Sequence, residues 1–198
     1  ASDVYKRQAK RHYREIKPLG KSRILLLCEA LLQSDYLEEA FIAFEWAYSL
    51  RREYEASDFQ ILERWVRDYV NNWAKCDTLC NHAICSFIEM YPEHIKSLKG
   101  WARSDNRWLR RASAVTLILP ARRGMLLDDV FEISGMLLED EDDLVQKGYG
   151  WLLKEASRCH QHEVFDWVVA RKNRMPRTAL RYAIELLPED MRRRAMER

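Results

Sequence analysis

With 198 residues, of which 47% are apolar, the chain is long enough to bury a core without metal or disulfide staples, and one domain is expected. A formal charge of +2 excludes a partner attracted by total charge alone, so the placement of the 33 Lys and Arg matters more than their number. No apolar run reaches the roughly 18 to 20 residues of a membrane span, and the first residues are charged where a signal peptide is apolar, so no membrane and a cytoplasmic location are expected.

In chain order, "ASDVYKRQ" at 1–8 reads as a vector- or adaptor-derived or disordered segment and is set apart from the fold, which is expected over 9–198. Apolar residues then recur at 3- and 4-residue spacing: Leu37, Ala40, Phe41, Phe44, Ala47 and Tyr48, then Phe59, Leu62, Trp65, Val66, Tyr69 and Val70. Both stripes predict helices with one buried face. Ser57 with Gln60 predicts a capping box before the second. No alternating stretch predicts a strand, and six glycines and five prolines are too few for a turn-rich β fold.

In "NNWAKCDTLC", Trp73 and Asp77 are four residues apart and share a helix face. Asp77 is either a helix-start cap, with Asn71 and Asn72 breaking the preceding helix, or a carboxylate held beside an aromatic plane for chemistry. Cys76 and Cys80 read as buried thiols, as do most of the five cysteines, which show no zinc-ligand spacing. Trp46, Trp65, Trp101 and Trp167 read as core.

"DNRWLRRASAV" aligns with the region of "DDLVQKGYGWL" at an offset of 36 residues, which places Arg111 on Lys147. Similar steps reach Lys75 and Arg181. A period near 36 with two helices per unit predicts an all-α solenoid of HEAT-like helix pairs, curved, and one basic residue per unit gives it a basic concave face that also draws on Arg107, Arg110, Lys154 and Arg177. Chance recurrence of common basic residues is the alternative. "EDEDDL" predicts a turn with acids at the start of the next helix. His160 and His162 read as a solvated helix terminus, and no metal or organic cofactor is expected. Phosphate-binding loops, dinucleotide turns, zinc-protease helices and hydrolase elbows do not occur, which sets those activities aside.

Three blocks, "NNWAKCDTLC", "DNRWLRRASAV" and "DDLVQKGYGWLLKEASR", supported by "MPRTALRYAIELLP", together resemble the DNA alkylation repair family of AlkD-like DNA glycosylases. The resemblance implies a single HEAT-like domain, shortened at its N-terminus, that acts as a monomer on double-stranded DNA containing alkylated purines. It implies hydrolysis of the N-glycosidic bond of cationic N3- or N7-alkylated purines. The catalytic carboxylate is then Asp77, with Trp73 and Trp151 as aromatic walls and Arg111 in the block containing Trp108 as a DNA contact, while the repeat itself puts Lys147 and Arg181 on the DNA-facing surface. A non-catalytic scaffold that binds DNA structures or a protein partner is the second reading.

Overall fold

The computed structural model describes residues 2–197, and every regular element among them is helical, as the periodicity predicts. The chain divides into two compact units, the first ending at Pro92 and the second beginning at Glu93.

The first unit holds α1 (Ser2–Ile16), α2 (Lys21–Leu32), α3 (Leu37–Ser49), α4 (Phe59–Tyr69), α5 (Trp73–Leu79) and α6 (Cys85–Met90). Ala1, where the segment set apart in the sequence begins, lies outside the described residues. From Ser2 onward that segment is the start of α1, which packs on α3. The indole N–H of Trp46 donates to the Ala9 carbonyl at 2.9 Å, so this tryptophan spends its polar edge on the α1 contact and is only half-buried. Both expected stripes face inward: Ala40, Phe44 and Ala47 on α3, and Phe59, Leu62, Trp65 and Val66 on α4, are buried. Leu37 and Tyr48, at the stripe's edges, keep some exposure.

The cap before α4 is not Ser57 with Gln60. Asp58 reaches back to accept the Glu55 N–H at 2.8 Å and also holds Lys21 at 2.9 Å, so the box is Glu55 with Asp58. The physical reason is that the single 3-10 turn over Ala56–Asp58 starts the helical path earlier than the apolar stripe does. A π turn over Cys80–Ile84 joins α5 to α6 in one rod. Cys76 and Cys80 on that rod are fully buried and pack as small apolar groups.

The second unit holds α7 (Ile95–Trp101), α8 (Arg107–Val115), α9 (Ile118–Arg122), α10 (Leu127–Met136), α11 (Asp143–Ala156), α12 (Gln161–Val169), α13 (Arg177–Ala183) and α14 (Glu189–Met196). Here α8 packs on α11 and α11 on α13, while α7 and α10 cover their neighbours. Trp101 and Trp167 are buried, the latter stacked on Phe131 with centroids 5.6 Å apart.

The 36-residue offset has a physical counterpart at the helix starts. Asn106 caps α8 by accepting from the N–H groups of Trp108 and Leu109, and Asp142 caps α11 by accepting from those of Leu144 and Val145. Two residues before each cap, Ser104 Oγ and Asp140 Oδ1 accept the cap residue's own N–H, at 3.1 and 2.9 Å. The same turn is built twice from different side chains.

Candidate functional site

In the first unit the site is built on α5. Its N-cap is Asn72, whose side chain accepts the Lys75 N–H at 2.9 Å. Asp77 lies more than a turn further on, so the helix-start cap reading of Asp77 does not apply. Trp73 is 58% exposed and Asp77 half-buried, and their four-residue spacing puts them on one face. Lys75, about 200° around the helix from Asp77, points elsewhere. Its side chain is buried and its ammonium meets Asp35 Oδ1 at 2.6 Å.

Asp35 ties the start of α5 to the turn between α2 and α3. Its Oδ1 also accepts from Asn71 Nδ2 at 2.7 Å, and Asn72 Nδ2 donates to Asn71 Oδ1 at 3.1 Å. The Lys75 hydrogen bond, then that of Asn71, hold the Asp35 carboxyl below its usual range. A lysine nitrogen removed from water needs such an anion. Asp35, Asn71, Asn72 and Lys75 therefore fix where Trp73 and Asp77 emerge.

In the second unit the expected residues lie on three helices in packed succession. Arg111 on α8 is buried at 5% exposure: its side chain lies over Gly148, and its guanidinium donates to the Leu144 carbonyl in the first turn of α11. Lys147 on α11 is more open and pairs with Asp143 at 2.5 Å, a hydrogen bond that raises the pKa of its ammonium against the opposing effect of desolvation. Arg181 on α13 is exposed. Trp108 is half-buried with the Arg107 guanidinium 5.2 Å from its ring centre.

Trp151, also half-buried, directs its indole N–H at Glu155 Oε1, 3.4 Å away and one turn on. Glu155 is buried between Arg158 Nε at 2.6 Å and Arg122 Nε at 2.8 Å. Burial works against its charge, but the hydrogen bonds of Arg158 and Arg122 prevail and hold the carboxyl below its usual range.

Much of the basic surface expected from the sequence is paired with acid. Arg107 meets Asp142 at 2.7 Å, Arg110 meets Asp140 at 2.7 Å and Lys154 meets Glu185 at 3.1 Å. The EDEDDL acids thus do two jobs, capping α11 through Asp142 and neutralising arginines of α8. His160 starts α12 with Nε2 2.9 Å from the Gly124 carbonyl, and His162 is exposed. Among the described residues, no three His, Cys, Asp or Glu side chains gather to hold a metal ion, and no helix is long and apolar enough to cross a membrane.

Reading residues one by one missed Asp35, because its tie to Lys75 spans 40 positions. Glu155 was accessible, being four residues from Trp151.

These features define an all-α protein built on recurring capped helices, with an exposed tryptophan beside a carboxylate on one unit and basic side chains on consecutive packed helices of the other. The model of the DNA alkylation repair enzyme family matches residues 2–187, and the chain belongs to that family. Its role is therefore in DNA repair, with DNA as the partner the family implies. Among solved structures it is similar to a predicted DNA alkylation repair enzyme from Enterococcus faecalis, at 15% identity over 96% of this chain and 87% of that one, with a TM-score of 0.84. It is also similar to smu.31 from Streptococcus mutans UA159, at 19% identity over 93% of this chain and 100% of that one, with a TM-score of 0.66. At these identities the likeness is one of fold. No protein of curated function matches.

Proposed function

We propose that the protein hydrolyses the N-glycosidic bond of N3- or N7-alkylated purines in double-stranded DNA, with Asp77 as the catalytic carboxylate. The observation that carries this reading is the pairing of exposed Trp73 with Asp77 on a helix whose capping is done by Asn72.

Alkylation at N3 or N7 leaves the purine cationic and already a good leaving group. As the bond from C1′ to the base nitrogen breaks, its electron pair neutralises the purine and the deoxyribose takes on oxocarbenium character. The Asp77 carboxylate stabilises that positive charge. It also orients a water, whose oxygen bonds to C1′ and whose proton passes to the carboxylate. The π face of Trp73 favours the same cation by about 0.5 to 2 kcal/mol. Trp151, its ring directed by the hydrogen bond to Glu155, is assigned a second aromatic contact with the DNA.

Phosphates are assigned chiefly to the exposed Arg181 on α13 and to Lys147 on α11, which packs on it, with Trp108 on α8 as a further DNA contact. Arg111 contributes mainly by holding the start of α11. No metal or organic cofactor takes part in this scheme, and a monomer suffices for it.

The test is release of 7-methylguanine or 3-methyladenine from methylated duplex by the wild type and by Asp77→Asn. A protein that binds DNA but releases neither base supports the second reading, a DNA-binding scaffold. The ion-paired state of Arg107, Arg110 and Lys154 leaves fewer cations for phosphate and favours the form of the scaffold that binds a protein partner.

A further inference from the structure

Acids of the second unit meet its arginines in two different ways. Arg107 faces Asp142, Arg110 faces Asp140 and Arg174 faces Glu139 with two nitrogens on two oxygens, Nε at 2.7, 2.7 and 3.1 Å and Nη2 at 3.0, 3.5 and 2.9 Å. Each of these pairs spends the guanidinium's fork on one carboxylate and cancels its charge. Glu155 is met differently. Its Oε2 accepts from Nε of Arg122 at 2.8 Å and from Nε of Arg158 at 2.6 Å, while Oε1 takes the Trp151 indole. Among the described residues, no Nη nitrogen of Arg122 or Arg158 has a hydrogen-bond acceptor.

Two guanidiniums on one carboxylate leave one positive charge uncancelled. The Glu155 side chain is 4% exposed, whereas those of Arg122 and Arg158 are 45% and 46% exposed, so the anion lies inside and the cationic ends stand in water. A buried carboxylate needs one cation for its own charge, and the second is surplus to the fold. Pinning each arginine at Nε also limits the freedom of two long side chains before any ligand arrives. Arg122 closes α9 and Arg158 lies just past α11, two helices that pack together. Along α11, Lys147, Trp151, Lys154 and Arg158 follow one another at 3- and 4-residue spacing, so Arg158 continues the line that holds Lys147 and Trp151.

We propose that Arg122 and Arg158, held by Glu155, form a binding site for a phosphate group, supplied by the DNA backbone or as free phosphate. Planar guanidinium donors suit the oxygens of a phosphate, and the uncancelled charge attracts it. The site goes beyond the base-release reading and makes no use of Asp77.

The test exchanges each arginine for lysine, which keeps the charge and reaches Glu155 with its one nitrogen, leaving none for a ligand. The Arg122→Lys/Arg158→Lys variant is expected to unfold close to the wild type and to bind an unmodified duplex about tenfold more weakly at the same ionic strength. Each single variant should show part of that loss, which keeps the result readable should the double variant unfold early. Arg174→Lys, whose fork faces Glu139, is the control and should bind as the wild type does. Inorganic phosphate, compared with chloride at equal ionic strength in thermal unfolding, separates the two sources. A loss of duplex affinity assigns the site to the DNA backbone, and a stabilisation by phosphate that the double variant lacks, with duplex affinity the same in both, assigns it to free phosphate. A double variant that matches the wild type in duplex affinity and in its response to phosphate refutes the site, and the arginines then serve only to neutralise Glu155. An equal loss in Arg174→Lys refutes it as well, since any such exchange would then weaken binding. Base release is read separately: a wild type that releases no 7-methylguanine while the double variant loses duplex affinity upholds the site and ends the enzyme reading.

Discussion

Gly150 of α11 lies so close to Ala179 of α13 that a Cβ at position 150 would come within 2.8 Å of the Ala179 carbonyl oxygen and 2.7 Å of the Tyr182 Cβ. The obstruction includes backbone, which cannot rotate away as a side-chain tip can. Alanine normally favours a helix by about 1 kcal/mol over glycine. Here Gly150→Ala is expected to destabilise the protein by about 1 to 3 kcal/mol, because α11 and α13 must separate. Urea unfolding measures this, and a midpoint at or above that of the wild type would refute the close approach.

The same relationship shows what a sequence reader can and cannot see. The repeat that brings Lys147 and Arg181 onto helices that pack together, α11 and α13, follows from spacing. That Gly150 is the point of closest approach does not follow, since Gly148 is an equally plausible candidate on the page. Spacing likewise put Trp73 beside Asp77, because both lie within one turn of helix. It could not decide whether Asp77 was a cap, since Asn71, Asn72 and Asp77 are all capping residue types. The choice depends on where the backbone turns into the helix. The expected row of basic residues changed most: Lys75 turned out buried against Asp35, and Arg107 and Arg110 bound to acids some 30 to 35 positions away, contacts with no local pattern.

The two Asx caps of the second unit allow a graded comparison. Asn106→Ala is expected to cost about 1 kcal/mol through loss of its two N–H contacts. Asp142→Ala should cost more, because the carboxylate also pairs with Arg107 at 2.7 Å and favours the helix start by its charge. Equal unfolding midpoints for the two variants would mean that the ion pair contributes nothing.

The Asp35 carboxyl is held below its ordinary value of 3.8, first by the Lys75 hydrogen bond and then by that of Asn71. A carboxyl whose folded pKa is depressed stabilises the fold at pH above its unfolded value, and that contribution is lost as pH falls through the folded value. Asp35→Asn should therefore lower the unfolding midpoint at neutral pH, leaving the buried Lys75 ammonium without its anion. The difference from the wild type should be constant above about pH 5 and shrink below pH 3.8. Denaturation series at several pH values would show it, and a gap that persists unchanged into strong acid would rule out the ion pair as its source.

Asp77→Asn preserves the shape of the side chain while removing the charge that the proposed reaction assigns to the developing oxocarbenium ion. Removing an electrostatic stabiliser of a transition state typically slows turnover by about 100- to 1,000-fold. Single-turnover release of 7-methylguanine is expected to fall by at least that much, with affinity for the methylated duplex unchanged. Parallel losses of rate and affinity would instead point to a binding role for the carboxylate.

Charge reversal separates the contribution of exposed basic residues from that of buried ones. Arg181 is exposed on α13, so Arg181→Glu should leave stability nearly untouched. If the residue meets a phosphate, DNA binding weakens at every sequence and the slope of log affinity against log salt falls by about one. Lys147→Glu should weaken binding as well, and its cost includes the new repulsion from Asp143, which now pairs with Lys147 at 2.5 Å. Arg111→Ala behaves differently. Its side chain is buried across Gly148 with the guanidinium on the Leu144 carbonyl, so its removal leaves a cavity and an unfilled acceptor, and stability falls along with any loss of affinity. A measured salt slope unchanged in both Arg181→Glu and Lys147→Glu would take the DNA backbone off α11 and α13.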